Sequence, residues 1–384
     1  MAATAINNKT LGILGGGQLG KMLCTPINNM HIKTSILDPT PNCPASVSCN
    51  DVRQGSFTDF DTVYNFGKEV DVLTIEIENV NTDALLKLQA EGKTVHPNPK
   101  ALSIIKDKGL QKEFYDQHQL PTSAYTLYSN KQEVLEEIEK GNITYPFVQK
   151  ARTEGYDGKG VAVINSAEDN VLLLDTACVI EDKVALKKEL AVIAARDEAG
   201  NIVCFDPVEM LFDPKANLVT SLMCPADISD TVAQKATEMA KACIAAYDIV
   251  GLLAVEFFLD ENDNLLINEV APRPHNSGHH TIENCVTSQY EQHIRAVMGL
   301  PLGNTQTIIP AVMINLLGEA GYTGKAVYEG LSECMQVAGA KFHIYGKENT
   351  KPFRKMGHVT VLDDTAQGAL NKANHIQKTL RIIA

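Results

Sequence analysis

The sequence predicts an α/β domain followed by an α+β domain and a small β-rich one, and three observations carry that expectation. Residues 10–100 alternate short apolar strands with helices, the order of a parallel, doubly wound sheet. Residues 120–300 instead run strand, helix, strand, glycine loop, strand, and end on a hairpin, which is α+β order. From about residue 300 the chain returns to short strands and closes on one helix. With 384 residues, 44% apolar and 21% charged, there is material for two or three cores. The divisions fall at 1–100, 101–298 and 299–384, where HPNP at 96–99 and the Gly299–Pro301 step break the pattern.

In the first domain, Leu11–Leu14, Ile32–Asp38, Val70–Ile77 and Thr94–His96 read as strands, with a helix opening near Lys21 and another at Thr82–Ala90. GGGQLG at Gly15–Gly20, with Asp38 ending the next strand, meets the G-x-G-x-x-G form of a dinucleotide loop. The physics of that form is only amides at a helix N-terminus facing an anion, so a nicotinamide site and a loop for another phosphorylated ligand both fit. The segment DVLTIEIENV places Glu76 and Glu78 on one side by alternation, at the strand end where open sheets hold ligands.

Ala101–His118 follows as one amphipathic helix carrying Lys106 and Lys108, facing solvent or a ligand. The central domain then has strands at Ala124–Tyr128 and Tyr145–Lys150, a helix at Gln132–Lys140 between them, and VAVI after the loop TEGYDGKG. A strand–loop–strand is not a P-loop, which runs into a helix. Gly155, Gly158 and Gly160 free the backbone to fold over a phosphate, and Lys150 supplies a point charge just before it. Cys178–Val184 reads as a strand, Leu190–Arg196 and Ile202–Met210 as a hairpin, and Ser229–Asp248 as a helix packed through alanines.

The clearest hairpin is Leu252–Ala271, in which LLAVEFFLD and LLINEVA flank the polar turn ENDN. A turn centred between Asn262 and Asp263 sets Glu256 opposite Glu269, about 5 Å apart at Cβ, where like charges destabilise a sheet. Such a pair asks for a cation, and oxygen ligands favour Mg²⁺, with Mn²⁺ as an alternative, bound together with substrate phosphates. Beyond it Arg273, His275, Asn276, Ser277, His279 and His280 crowd into eight residues stiffened by prolines. Near the end, Val312–Leu317 and Phe342–Tyr345 read as strands of a small sheet and Gln367–Thr379 as a helix. Between them YGKENTKPFRKMGHV gathers Lys347, Lys351, Arg354 and Lys355, a solvated loop or a phosphate site.

Composition narrows the function. A net charge of −13 with no basic face argues against nucleic acid as a partner. Nine dispersed cysteines without a C-x-x-C pair read as reduced thiols of a cytoplasmic protein. The first ten residues lack the pattern of a signal peptide, and no apolar run reaches membrane-spanning length, so no membrane association is expected.

Four landmarks, GGGQLG, GYDGKG, E-x-A-P-R-x-H-N-S-G-H and KPFRKMGH, together resemble the ATP-grasp family of 5-(carboxyamino)imidazole ribonucleotide synthetases of purine biosynthesis, along nearly the whole chain. The resemblance implies an ATP-grasp fold with an N-terminal Rossmann-like (pre-ATP-grasp) domain and a small C-terminal β-rich domain. It implies a homodimer and a C–N-forming ligase that uses ATP, bicarbonate and aminoimidazole ribonucleotide, with neither NAD nor biotin. ATP would meet Lys108, Lys150, Gly155, Tyr156, Asp157, Gly158, Lys159, Gly160, Glu181, Val184, Glu189, Asn268 and Glu269, with Glu256 and Glu269 on the metal. Glu76, Tyr156, Asp157, Arg273 and His275 would be catalytic. Gly17, Gln18, Leu19, Arg273, His275, Asn276, Ser277, Lys347, Lys351 and Arg354 would hold the acceptor. Glu154 stands where the family commonly has glycine, which bears on the path of its loop. Two alternatives stay open: a sister ATP-grasp carboxylate–amine ligase, and a non-catalytic nucleotide-binding protein on the same fold.

Overall fold

The computed structural model describes residues 6–153, 160–213 and 218–384. Its first unit is a five-stranded parallel sheet in the order Asp51–Gln54, Lys33–Asp38, Thr10–Leu14, Val72–Ile75, Thr94–Val95. Leu11, Ile13 and Ile36 are sealed under the helix Gln18–Asn29, while Leu14, Leu73 and Ile75 are sealed under Phe60–Glu69 and Thr82–Ala90. Strands buried on both faces suit a parallel sheet. The strand order reverses between Thr10–Leu14 and Val72–Ile75, the switch point at which open sheets hold their ligands, and the glycine turn and Glu76 follow the ends of those two strands. The strand of Glu76 is shorter than the expected 70–77, and the helix Phe60–Glu69 and the edge strand Asp51–Gln54 were not foreseen. Asp51–Gln54 is largely exposed and carries no apolar alternation.

The expected single helix 101–118 is two, Pro99–Ile105 and Lys108–Gln117. Asp107 breaks them: its Oδ1 accepts from the Gly109 and Leu110 amides at 2.8 and 3.2 Å, which caps the second helix. Arg152 grips the same carboxylate with two bonds of 2.8 Å, and the Lys108 amide donates to the Arg152 carbonyl at 2.8 Å. The break therefore fixes Lys108 at the first position of a helix tied to the strand Phe147–Ala151.

An antiparallel four-stranded sheet follows, ordered Tyr125–Tyr128, Cys178–Asp182, Phe147–Ala151, Val161–Ile164. Residues 183–185 lead from it into a nine-stranded sheet. That sheet runs Leu265–Ala271, Gly251–Asp260, Leu186–Arg196, Val208–Asp213, Leu218–Cys224, Ala311–Leu317, Lys355–Leu362, Ala340–Ile344, with Ile202–Cys204 paired beside Leu186–Arg196. The separate small sheet expected near 312–317 and 342–345 is absent. Those strands extend the central sheet through the pairing of Leu218–Cys224 with Ala311–Leu317, and the sequence reading had missed Leu218–Cys224. The helix Asp230–Ala246, capped by Ser229, covers one face through Val232, Ala236, Ala240 and Ile244. On the other side Gln289–Val297 sends Tyr290, Ile294 and Val297 into the core of the first unit.

Candidate active site

The hairpin Gly251–Asp260/Leu265–Ala271 pairs Glu256 with Glu269 as expected, though by a different route. Near the turn Leu259 faces Leu265 and Phe257 faces Ile267, a register centred on Asn262 that would set Glu256 against Asn268. A bulge between these pairs and Glu256 inserts one residue on the returning strand and moves Glu269 into place. Bulges re-aim side chains, and here Asn268 and Glu269 both turn to the same cleft, Asn268 toward Lys150 and Glu269 toward Lys108. The result is an all-oxygen set: Glu256, Asn268 and Glu269 side by side.

The electrostatics fit a cation there. Burial, then the charge of Glu269, pushes the Glu256 carboxyl up from its ordinary range. Lys108, at 2.8 Å, holds Glu269 well below its own. Glu189, two strands from Glu269, is raised to about 7, chiefly by burial. Three carboxyls gathered with two lysines suit a hard divalent ion that also brings anionic oxygens. Among the described residues no group of three or more His, Cys, Asp or Glu side chains forms a metal cage.

Lys150 donates to Asn268 Oδ1 at 2.7 Å, pairs with Glu181 at 3.1 Å, and lies 5.7 Å from the Phe258 ring. The carboxylate of Glu181 is fully engaged, by Lys150, by Lys112 at 3.2 Å and by the Ser123 hydroxyl at 2.8 Å. The Glu181 side chain is thus committed within the protein, and Val184 stands in the 183–185 connection between the two sheets. Gly155, Tyr156, Asp157, Gly158 and Lys159 lie outside the described residues. Gly160, the next described residue, has φ +73°, and its carbonyl accepts from the Ala151 amide at 2.8 Å.

The loop after the hairpin is clamped rather than loose. The Gln289 side chain accepts from the His275 amide at 2.9 Å and donates to the His275 carbonyl at 2.7 Å. The imidazole of His275 meets the Ser277 hydroxyl at 2.9 Å through Nδ1 and Glu256 at 3.6 Å through Nε2. Ser277 is buried, and Asn276 Oδ1 is buried without a hydrogen-bond partner. Arg273 bonds Glu78 at 2.8 Å. The two glutamates placed together by alternation therefore part company, because the strand ends at Ile75: Glu78 meets Arg273, while Glu76 turns into the glycine loop.

There Glu76 accepts from the Gly17 amide at 2.8 Å and from the Gly20 amide at 2.7 Å. Asp38 accepts from the Gly16 amide at 2.8 Å. The donors that a dinucleotide pyrophosphate would use are taken by the chain's own carboxylates, which satisfy the helix N-terminus. The glycines follow from this closeness, since a Cβ on Gly17 would lie 2.7 Å from Glu76 Oε1. Gln18 and Leu19 open the helix beyond the turn, Leu19 with its side chain in the core beside Leu11 and Ile13.

Of the basic loop, Arg354 donates to the Asn349 carbonyl at 2.7 Å, Lys347 donates to the Lys355 carbonyl at 2.8 Å, and Lys351 is exposed. Lys355, left unassigned by the sequence reading, opens the strand Lys355–Leu362, and its carbonyl is the one that accepts from Lys347. Three further residues of the cleft escaped that reading: Glu78 as the partner of Arg273, Gln289, and Lys112. For Lys112 a signal existed, because it follows Lys108 by four positions and so shares its helix face.

Three family models match successive parts of the chain: the ribonucleotide synthetase preATP-grasp domain over residues 8–106, the ATP-grasp domain over 113–290, and the phosphoribosylaminoimidazole carboxylase C-terminal domain over 311–372. The chain is 38% identical, over 97% of its length, to a Candida albicans protein named phosphoribosylaminoimidazole carboxylase, of which it spans 67%. It resembles the crystal structure of N5-carboxyaminoimidazole ribonucleotide synthetase from Thermotoga maritima with 41% identity and a TM-score of 0.90, covering 98% of this chain and 99% of that one. An Aspergillus clavatus N5-carboxyaminoimidazole synthase, solved with ADP and 5-aminoimidazole ribonucleotide, matches at 31% identity and a TM-score of 0.89 over 97% of this chain and 98% of that one. With solved structures this similar matched almost end to end, the chain belongs to the ATP-grasp family of N5-carboxyaminoimidazole ribonucleotide synthetases.

Proposed function

We propose that the protein is an ATP-dependent ligase that joins bicarbonate to the amine of 5-aminoimidazole ribonucleotide, giving N5-carboxyaminoimidazole ribonucleotide, ADP and phosphate. The observation that carries this reading is the bulged hairpin, which aims Glu256, Asn268 and Glu269 at Lys150 and Lys108 in one cleft. The Aspergillus relative, solved with ADP and the ribonucleotide, supports the choice of substrates.

ATP would lie between the four- and nine-stranded sheets, its adenine along the Val184 connection, its ribose at Glu189 and its phosphates at Lys108, Lys150 and the 155–160 loop. Glu256 and Glu269 would hold Mg²⁺, which when bound neutralises the phosphoryl oxygens during transfer. The γ-phosphoryl group passes to bicarbonate, whose carbon is otherwise a poor electrophile. The amine then takes the carboxyl group and phosphate leaves. Lys150 and Lys108 offset the moving charge, and Arg273 offers a planar fork to the bicarbonate-derived oxygens. His275, tied to Ser277 and close to Glu256, would hold or move a proton. Tyr156 and Asp157 would close the cleft against water, which destroys a mixed carboxylic–phosphoric anhydride. Arg354 and Lys347, with Lys351 beside them, would take the acceptor's 5′-phosphate, and Gln18 and Leu19 its ribose side. Three units, 1–100, 101–298 and 299–384, would share this work in each subunit of a homodimer. Following ¹⁴C-bicarbonate into product, and ATP hydrolysis with and without aminoimidazole ribonucleotide, tests the reading. Hydrolysis indifferent to the ribonucleotide, with no label in product, refutes it.

A further inference from the structure

One turn after Lys108, the helix carries a second lysine that the chemistry above leaves without a task. Lys112 is 2% exposed, and its ammonium donates to Thr122 Oγ1 at 2.6 Å and to Ser123 Oγ at 2.9 Å, and pairs with Glu181 Oε1 at 3.2 Å. The other oxygen of Glu181 meets Lys150 at 3.1 Å and the Ser123 hydroxyl at 2.8 Å. Thr122 in turn donates to the Ile267 carbonyl at 2.7 Å, and the Ile267 amide donates to the Pro121 carbonyl at 2.8 Å. Ile267 immediately precedes Asn268, the acceptor of Lys150. The contacts close a ring through the helix, the four-stranded sheet and the carboxylate hairpin. Burying an ammonium for packing alone is unfavourable, and an apolar chain of similar length would fill the space.

We propose that Lys112 is a positioning residue for the nucleotide reaction: by sharing Glu181 with Lys150 and pinning the Pro121–Ser123 segment to the hairpin, it fixes where the Lys150 ammonium stands relative to the bound phosphates. Without it, Glu181 has Lys150 as its one cation and draws that ammonium from Asn268. The inference rests on the ATP-ligase reading for its kinetics, though not for nucleotide binding. The charged and titratable neighbours of Lys112 are Glu181, Lys150, Asp116 on its own helix, and Tyr125, whose ring lies 5.8 Å away. Burial presses the ammonium down to about 8, against the pull of Glu181 and with the push of Lys150. The positioning form is therefore present below pH 8 and lost above it.

Three variants test this: Lys112→Met, Lys112→Arg and Ser123→Ala, with ADP affinity measured by calorimetry and ATP kinetics measured across pH. Lys112→Met should weaken ADP and raise the KM for ATP about tenfold, lower kcat, and leave the KM for the ribonucleotide within about twofold. Lys112→Arg, whose guanidinium keeps its proton, should recover most of kcat at pH 7.5 and move the alkaline limb of kcat/KM for ATP up by about one pH unit or more. A fall in melting temperature in Lys112→Met with parental ADP affinity means a purely structural role and overturns the proposal, as does an unmoved alkaline limb in Lys112→Arg. Should Lys112→Met fail to fold, Ser123→Ala decides, with about threefold weaker ADP expected and parental affinity refuting. If the parent's ATP hydrolysis ignores the ribonucleotide, the ligase reading fails, while ADP affinity still decides Lys112.

Discussion

Replacing Glu269 with glutamine separates catalysis from stability sharply enough to test the carboxylate pair. In the folded protein Glu269 does two opposing things: it receives Lys108 at 2.8 Å and it repels Glu256 across the hairpin. The ion pair is partly wet, with the Glu269 side chain 45% exposed, so its contribution is about 0–1 kcal/mol. Relief of the repulsion at Glu256 offsets part of that. Glu269→Gln should therefore melt within a few degrees of the parent. Turnover is a different matter, because the substitution removes a charged oxygen from the cation set just where phosphoryl charge moves. A loss of about 3–4 kcal/mol of transition-state stabilisation is expected. At about 1.4 kcal/mol per decade this is roughly a 140- to 700-fold fall in kcat. The assay is ADP release at saturating Mg²⁺, bicarbonate and both nucleotides, alongside thermal melting. A well-folded Glu269→Gln protein that turns over within about threefold of the parent would refute the assignment.

Three other outcomes can be checked with the same protein. Arg354→Ala should raise the KM for aminoimidazole ribonucleotide about ten- to a hundredfold and leave that for ATP nearly unchanged; the reverse pattern removes the basic loop from the acceptor. Gly17→Ala would drive a methyl group to 2.7 Å from Glu76 Oε1, so denaturant titration should show a loss of about 1–3 kcal/mol, and an unchanged midpoint would mean that the glycine loop gives way easily. Stability should also fall on acidification: burial presses His280 to about 4 and His293 to about 3, so the folded form stays neutral while the unfolded chain takes up protons near pH 6.5. That stability is complete above pH 6.5 and lost below it, about 2 kcal/mol per histidine at pH 5. Because Glu189, raised to about 7, works in the opposite sense over part of the same window, His280→Asn is compared with the parent at pH 5 and pH 7. An equal acid loss in both proteins would contradict the assignment to His280.

The hairpin was legible because apolar strands around Asp260–Asn264 have one sensible fold, and the pairing of Glu256 with Glu269 came out correctly from a wrongly centred turn. The bulge that reconciles the two is invisible in composition, since Ile267 and Asn268 alternate like any strand. The helix break at Asp107 was hidden for a similar reason: the apolar period continues through it, and only the distant Arg152 makes the cap worth keeping. The glycine loop showed its form but not its occupant. G-x-G-x-x-G announces amides in need of an anion, and that anion, Glu76, lies 56 residues from Gly20. The continuation of the central sheet into the C-terminal region rests on Leu218–Cys224, whose partner strand begins at Ala311. Long-range pairings of this kind leave no local trace.

Glu256 and Lys355 stand on strands five places apart in one hydrogen-bonded sheet. Laid flat at about 4.8 Å per strand, those places would separate them by roughly 24 Å, beyond the range at which exposed charges in salt water sense each other. Yet His279, in the loop that follows the carboxylate hairpin, packs on His358 of the Lys355 strand with ring centroids 4.5 Å apart, so that loop folds back and links the two ends of the sheet. That contact would then act as a calliper between the side proposed for ATP and the side proposed for the acceptor. A change at the mid-sheet pairing of Ser221 with Ile314, on strands between those two ends, would be expected to shift the distance they span. Residues far from any ligand would in this way share control of the reaction distance.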